Sequence, residues 1–346
     1  MTSVADFPVG PAPVSRRVLG IGAVLIVAFA VVPALASPYV FDAILLPFLA
    51  LSLAGLGLNL LTGYGGQVSL GSAAFMAVGA FAAYNFQLRL GVSLPLALGL
   101  AAATSALIGT FFGLPSLRLR GFYLAVSTLA AQFFVQWALN KFGWFSNDSA
   151  SGVISAPKIA FWGLDLDSSA GRYFFALIVV TLITVLVWRL VSGPEGINLN
   201  AVRDDETAAK VIGVPVLRTK LAAFAISSAI IGVAGVLWSF AYLRTIEPEG
   251  FNLDRSFQIL FIVIIGGLAT IRGAFLGAAL IVVFPLLLAR VSSALFGGVI
   301  DAGVLKLIEQ IVLGAIIILF LIAEPNGLVA ILDRARARLG RALRRD

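Results

Sequence analysis

From Ala43 to Leu88 the chain carries no charged side chain; Asp42 closes one end of the stretch and Arg89 the other. An apolar run of about 18 or more residues with few charges has the length of a bilayer-crossing helix. Further runs of this kind follow, and composition agrees: 60% of the 346 residues are hydrophobic and 12% are charged. A soluble domain carries about a quarter charged residues. The sequence therefore predicts an all-α polytopic membrane protein. Ten apolar segments are expected, near 18–36, 40–61, 67–87, 92–114, 121–140, 173–191, 221–243, 256–271, 274–291 and 303–323.

The chain contains no cysteine and no histidine. Disulfides, thiolate chemistry and the commonest metal ligands are thereby absent, as is the commonest general base. No catalytic or metal site is expected. The net charge of +7 is read as loop bias in a membrane protein. The terminal run RARARLGRALRR (334–345) is read as a tail touching anionic headgroups, not as a nucleic-acid patch. SRRVLG (15–20) and ALAS (34–37) imitate export signals, but no soluble domain follows them. Val18–Ala36 is accordingly expected to be the first span, after a disordered, Pro-rich segment over 1–17.

With the N-terminus placed in the cytoplasm, the expected spans distribute Lys and Arg roughly 16 inside to 8 outside. Both termini then lie inside, as does the charged stretch EGINLNAVRDDETAAKVIGVPVLRTK (195–220). The largest outer loop, 141–172, is rich in turn formers. Trp144 and Trp162 suit interfacial anchoring. Asp165 and Asp167 read as loop charge, since further acidic ligands at calcium-loop spacing are missing.

Glycines cluster over 55–84 and 264–280. Small residues permit close helix packing, and they also permit broken helices that line a cavity. Gly79 and Gly277 suit packing. Thr62, Gly63, Gly65 and Gly66 are too closely spaced for packing alone and predict a broken or re-entrant segment, with Gly266 and Gly267 as the matching pair. Asn59, Gln67, Ser69 and Ser72 flank the first break, where exposed backbone could meet a polar solute; interhelical hydrogen bonding is the other reading. Tyr123, Thr128 and Gln132 favour that second reading.

Within 195–220 the sequence predicts a short helix over roughly 201–212. Asn200 is its candidate N-cap, with Asp204, Asp205 and Glu206 in the early turns. Glu206 and Lys210 form an i,i+4 pair. Gly213 is the C′ candidate and Pro215 the stop. Leu199, Val202, Ala209 and Ile212 fall near one face. Such a helix can lie on the membrane, be an ordinary surface helix, or dock into a partner's groove.

AVRDDETAAKVIGV resembles the EAA loop of importer-type ABC permeases, with Ala208, Ala209 and Gly213 at the motif's spacing. Thr207 stands at the motif's Glu position and Glu206 one residue earlier. GLNLLTGYGGQVSLGSAAFMAVGAF and IIGGLATIRGAFLGAAL resemble the two glycine-rich signatures of the branched-chain amino acid permease family, LivH/LivM type. The order of the three motifs is similar to the LivM branch over about residues 40–325. Ser72 and SNDSASG (146–152) depart from the family pattern at surfaces that could face substrate or binding protein.

The resemblance implies a single permease domain over 18–325, with an outer loop at 141–172, a cytoplasmic coupling loop at 192–220 and a basic tail over 326–346. It implies ATPase coupling through Arg203, Asp205, Glu206, Ala208, Ala209 and Gly213. It also implies a LivH-like second permease subunit, two ATPase subunits, a periplasmic solute-binding protein and a bacterial inner-membrane location. No phosphate-binding G-x-x-x-x-G-K-[ST] loop occurs, so no cofactor is expected on this chain. Branched-chain or other hydrophobic amino acids are the expected substrates, with urea, short amides or organic acids as alternatives. A secondary transporter is the rival class. It would use an ionisable group within a span; Glu309 is the candidate, though three residues after Lys306 and near the outer end of the last span it reads first as half of an interfacial ion pair.

Overall fold

The computed structural model describes residues 26–114, 122–149, 151–161, 164–296, 302–324 and 327–342. The segment 1–17, the beginning of the 18–36 span, Trp162, the side chains of Lys306 and Glu309, and the end of the basic tail lie outside the described residues. The described chain is mostly helical. Helix α1 joins Val27–Val31 to Val32–Leu35. Helices α2 (Pro38–Tyr64), α3 (Ser72–Leu90), α4 (Leu94–Gly113), α5 (Phe122–Lys141) and α6 (Ser169–Ser192) follow. Two short helices, α7 (Pro194–Asp204) and α8 (Glu206–Val211), precede α9 (Val216–Leu243). The chain ends with α10 (Leu253–Gly266), α11 (Ile271–Phe296), α12 (Ala302–Ala323) and α13 (Gly327–Ala342).

Among the described residues, α2, α4, α6, α9 and the Ile271–Val291 part of α11 are long and apolar enough to cross a membrane. Their burial sorts them into two layers. The apolar windows of α2 and α9 are 83% and 72% buried, against 28% for α4 and α6 and 22% for α11. The first two form the centre, where a helix apolar on all sides is stable. The other three expose side chains such as Leu107, Phe111, Leu182, Leu186 and Leu287. Only lipid or a second apolar surface can cover such a rim.

The centre closes by backbone approach. A Cβ on Gly79 of α3 would lie 2.1 Å from the Gly232 carbonyl oxygen of α9, and one on Gly235 would lie 2.0 Å from that of Met76. A Cβ on Gly277 would fall 2.0 Å from the Ile262 carbonyl oxygen, joining α10 to α11 in the same manner. Ser227 Oγ donates to the Gly57 carbonyl at 2.7 Å and ties α9 to α2. Packing at small residues replaces the hydrophobic drive that helices lack against one another in lipid.

The end opposite the 193–215 loop is held by charge. Arg172 is 9% exposed; it donates to the Ala241 carbonyl at 2.8 Å and to Asp42 at 3.0 Å, linking α6, α9 and α2. The segment after α5 is more ordered than its turn-rich sequence suggests. Strand β1 (Ile154–Ser155) pairs antiparallel with β4 (Thr245–Ile246), and β2 (Ala160–Phe161) with β3 (Leu164–Asp165). The β1–β4 ladder seats the loop on the end of α9, and the β2–β3 pair closes a hairpin within it. Trp144 is 53% exposed and stacks under Arg89, whose guanidinium carbon lies 4.1 Å from the ring centroid.

Asp167 takes both guanidinium nitrogens of Arg244, one of them at 2.9 Å, and Asp165 accepts from the Asp167 backbone at 2.9 Å. The Arg244 hydrogen bond holds the Asp167 carboxyl below the usual carboxylate range, against the opposing effect of burial. A depressed folded-state pKa stabilises above the unfolded value, near 3.9, and the gain is lost as pH falls through the folded value. Hydrogen exchange over 154–167 is therefore expected to accelerate below about pH 4 in the native chain, and Asp167→Asn should remove that step. Identical pH profiles in the two proteins would exclude the latch.

Candidate functional site

The 193–215 loop is built from two helices, not one. Pro194 opens α7, with its fixed φ and missing N–H suited to the first helical position. Asn200 lies inside α7 and is not an N-cap, which corrects the expected start. Asp205 adopts an extended conformation (φ −158°, ψ 114°) and splits the stretch. Its Oδ1 accepts from Thr207 N at 2.7 Å and Ala208 N at 3.1 Å, capping α8.

At the far end Gly213 has φ +89°. Val214 N donates to the Ala209 carbonyl at 2.9 Å and Gly213 N to that of Lys210 at 3.1 Å. This is the two-bond helix stop that a left-handed residue permits. Glu206 forms an ion pair with Lys220 of α9, which ties α8 to that helix. Val202, Ala209 and Val216 form a small core under the loop. Ile212 does not join it: the break at Asp205 resets the helical phase, and Ile212 is 73% exposed. With the adjoining Val211, also exposed, it gives the end of α8 an apolar tip. The sequence reading missed that tip; two β-branched residues directly before a glycine stop were the available signal.

Beneath the loop lie both glycine-rich turns. α2 widens to a π turn over Leu60–Tyr64 and ends; Gly66 then takes φ +67° before α3 begins at Ser72. α10 ends at Gly266; Gly267 has φ +120° and Ala269 φ +55° before α11 begins. Asn59 joins the two turns. Its Nδ2 donates to the Thr270 carbonyl at 2.8 Å, and its Oδ1 accepts from Ala269 N at 2.9 Å. Gly63 lets them meet, since a Cβ there would lie 2.2 Å from Asn59 Oδ1 and 2.4 Å from Ala269 N. Arg203 descends from α7 and donates to the Gly63 carbonyl at 3.1 Å. Its stem covers Gly66, whose Cβ position would be 2.7 Å from Arg203 Cγ. Thr270, Ala269 and the Arg203–Gly63 contact carried no local sequence signal.

The start of α3 is sealed from the sides. Ala73 N donates to Ser256 Oγ at 2.9 Å and Ala74 N to Gln132 Oε1 at 2.7 Å. Gln132 Nε2 donates onward to the Phe251 carbonyl at 2.7 Å, and Leu70 N donates to Thr128 Oγ1 at 2.9 Å. Thr128 and Gln132 thus serve as interhelical partners, and Tyr123 sits exposed on α5. Of the four residues expected along a solute path, Asn59 is occupied by the two turns, and Ser69 accepts from Gly71 N at 3.3 Å. Gln67 Oε1 and Ser72 Oγ are buried without a partner among the described residues. The arrangement holds no group of His, Cys, Asp and Glu suited to a metal among the described residues. A loop with an apolar tip is thus fastened at its base to two irregular turns.

A family model described as the permease component of branched-chain amino acid transport systems matches residues 40–321. The high-affinity branched-chain amino acid transport system permease protein LivM of Escherichia coli (strain K12) is 32% identical over 302 residues. That match covers 80% of this chain and 66% of the relative, so the chain spans just under two thirds of that protein. A probable branched-chain amino acid transport permease protein LivH of Methanocaldococcus jannaschii is 26% identical, over 64% of this chain and 71% of the relative. The autoinducer 2 import system permease protein LsrC of an Enterobacter species (strain 638) is 28% identical, over 57% and 56%. No solved structure matches the chain.

Proposed function

The chain belongs to the branched-chain amino acid transport permease family, and from that premise we propose that it is one membrane subunit of an ATP-binding-cassette importer. The observation that carries this reading is the 193–215 loop, whose exposed apolar tip suits a groove on a partner. In the proposed assembly two ATPase subunits receive that loop and its counterpart on a LivH-like second permease. The apolar rim of α4, α6 and α11 lies against lipid and that second subunit.

A periplasmic binding protein delivers a branched-chain or other hydrophobic amino acid at the end held by Arg172 and Arg244. The chain crosses the bacterial inner membrane ten times, with re-entry at the glycine turns and both termini cytoplasmic; the excess of Lys and Arg on that side supports the orientation. Asp205 and Gly213 shape the docking helix; the exposed Ala208 lets it approach closely, while Ala209 seats it on Val202 and Val216. Gln67, Ser69 and Ser72 line the path beside the first turn, where Gln67 and Ser72 keep unused buried polar atoms for a passing solute. Transport uses alternating access driven by closure of the ATPase pair, and this chain supplies no catalytic group.

Affinity capture through a C-terminal tag in mild detergent, followed by mass spectrometry, tests the assembly. An ATPase and a second glycine-rich permease are expected in the purified material. A chain that purifies alone at full yield would count against the importer reading.

A further inference from the structure

We infer that Arg203 and Asn59 fasten the docking loop and both glycine turns into one moving body, and that they are the positioning residues through which loop motion reaches the interior. The inference rests on the importer reading and deepens it.

The docking loop could have been joined to the bundle only through α6 and α9, the helices that enter and leave it. A side chain from α7 instead reaches the end of α2. Arg203 donates to the Gly63 carbonyl at 3.1 Å, and its stem lies on Gly66. Gly63 belongs to the π turn that ends α2, where wide hydrogen bonding leaves carbonyls available. Four residues earlier in that helix, Asn59 is fully buried. It spends both halves of its amide on the turn between α10 and α11, giving a hydrogen bond to Thr270 and taking one from Ala269.

A buried amide bonded on both sides costs the desolvation of each partner if it moves away. The two turns are therefore expected to shift together. A Cβ at Gly63 would strike both Asn59 and Ala269, so the joint has no slack. The second turn is gripped from its other side as well. Gly327, at the start of α13, packs so closely that its Cβ position lies 2.7 Å from Gly267 Cα. Force applied to α7 thus arrives at two places that are far apart in sequence and adjacent in space.

The absence of cysteine makes the test direct. Spin labels are placed by Glu195→Cys on exposed α7 and Leu268→Cys in the second turn. A second pair uses Glu195→Cys with Leu96→Cys on the rim helix α4. Distances are measured by double electron–electron resonance in the purified complex with its ATPases, nucleotide-free and trapped with ATP and vanadate. The first distance should stay constant while the second changes. Arg203→Ala should leave the ATPases bound, let the first distance vary between the two states, and lower solute imported per ATP by about tenfold. Asn59→Leu removes both hydrogen bonds to the second turn and should likewise lower solute imported per ATP.

A shift of the first distance in the otherwise native complex would overturn the inference, as would constancy of both distances. Normal import per ATP in both Arg203→Ala and Asn59→Leu would do the same. Failure of any ATPase complex to form would overturn the importer reading itself, and is recognised before a distance is measured.

Discussion

Gly79→Leu is expected to prevent recovery of folded protein from the membrane, while Gly99→Leu is expected to be harmless. Both glycines lie in helices and both substitutions raise helix propensity, so local preference cannot separate them. What separates them is space. The added Cβ at Gly79 would stand 2.1 Å from the carbonyl oxygen of Gly232 and 2.5 Å from its Cα, which are backbone atoms that no rotamer change can move. Around Gly99 nothing lies within 4 Å.

Overpacking in a core commonly costs about 1–3 kcal/mol. Here two central helices must part along their length, so the upper end or more applies. That is a large share of a net stability of about 5–15 kcal/mol. Fluorescence-detected size exclusion of tagged variants in detergent gives the reading: a lost monodisperse peak for Gly79→Leu and a native one for Gly99→Leu. Equal behaviour of the two would mean that the α3–α9 approach does not support the fold.

The second large effect concerns the loop tip. Val211→Asp together with Ile212→Asp is expected to release the ATPase while leaving the permease folded. The two side chains are 82% and 73% exposed, and exposed substitutions away from special features change stability by about 0.5 kcal/mol or less. Hot-spot residues, which cluster near the centre of a docked interface, cost about 2 kcal/mol or more when truncated, and two carboxylates entering an apolar groove add desolvation. A fall in affinity of about 30-fold or more follows. Co-purification against a salt-matched control reads it out. Retention of the ATPase at native stoichiometry would remove the tip from the interface.

The membrane class was legible because it depends on long-run composition, which packing cannot disguise. The stop at Gly213 was legible for a local reason, since few residues other than glycine adopt φ +89° there at little cost. The start of the loop was not. Asn200 and Asp205 both satisfy the preference for a capping side chain, and sequence alone gives no rule for choosing between them when Pro194 has already opened an earlier helix. Placing Ile212 on the buried face followed from running one helical period through the Asp205 break.

The Asn59 bridge joins positions 211 residues apart, and no periodicity announces such a contact. Asn59 looked like a solute ligand for the same reason it makes a good clamp: it is a polar group buried beside irregular backbone. The short ladders around Ile154 and Ile246 escaped because two residues are too few to show alternation. Gln67 and Ser72 came into view by their nearness to the glycine run, and their unused buried oxygens are what the structure adds.

On the importer reading, the energy of ATP hydrolysed elsewhere is delivered through the 193–215 loop to the glycine turns. The most direct measurement is uptake of a labelled branched-chain amino acid into proteoliposomes holding the co-purified complex, with solute moved and ATP hydrolysed counted together. Uptake should require ATP, the ATPase subunits and the binding protein, and should disappear in the Val211→Asp, Ile212→Asp variant. Uptake by this chain alone, driven by an ion gradient without ATP and lost on Glu309→Gln, would contradict it.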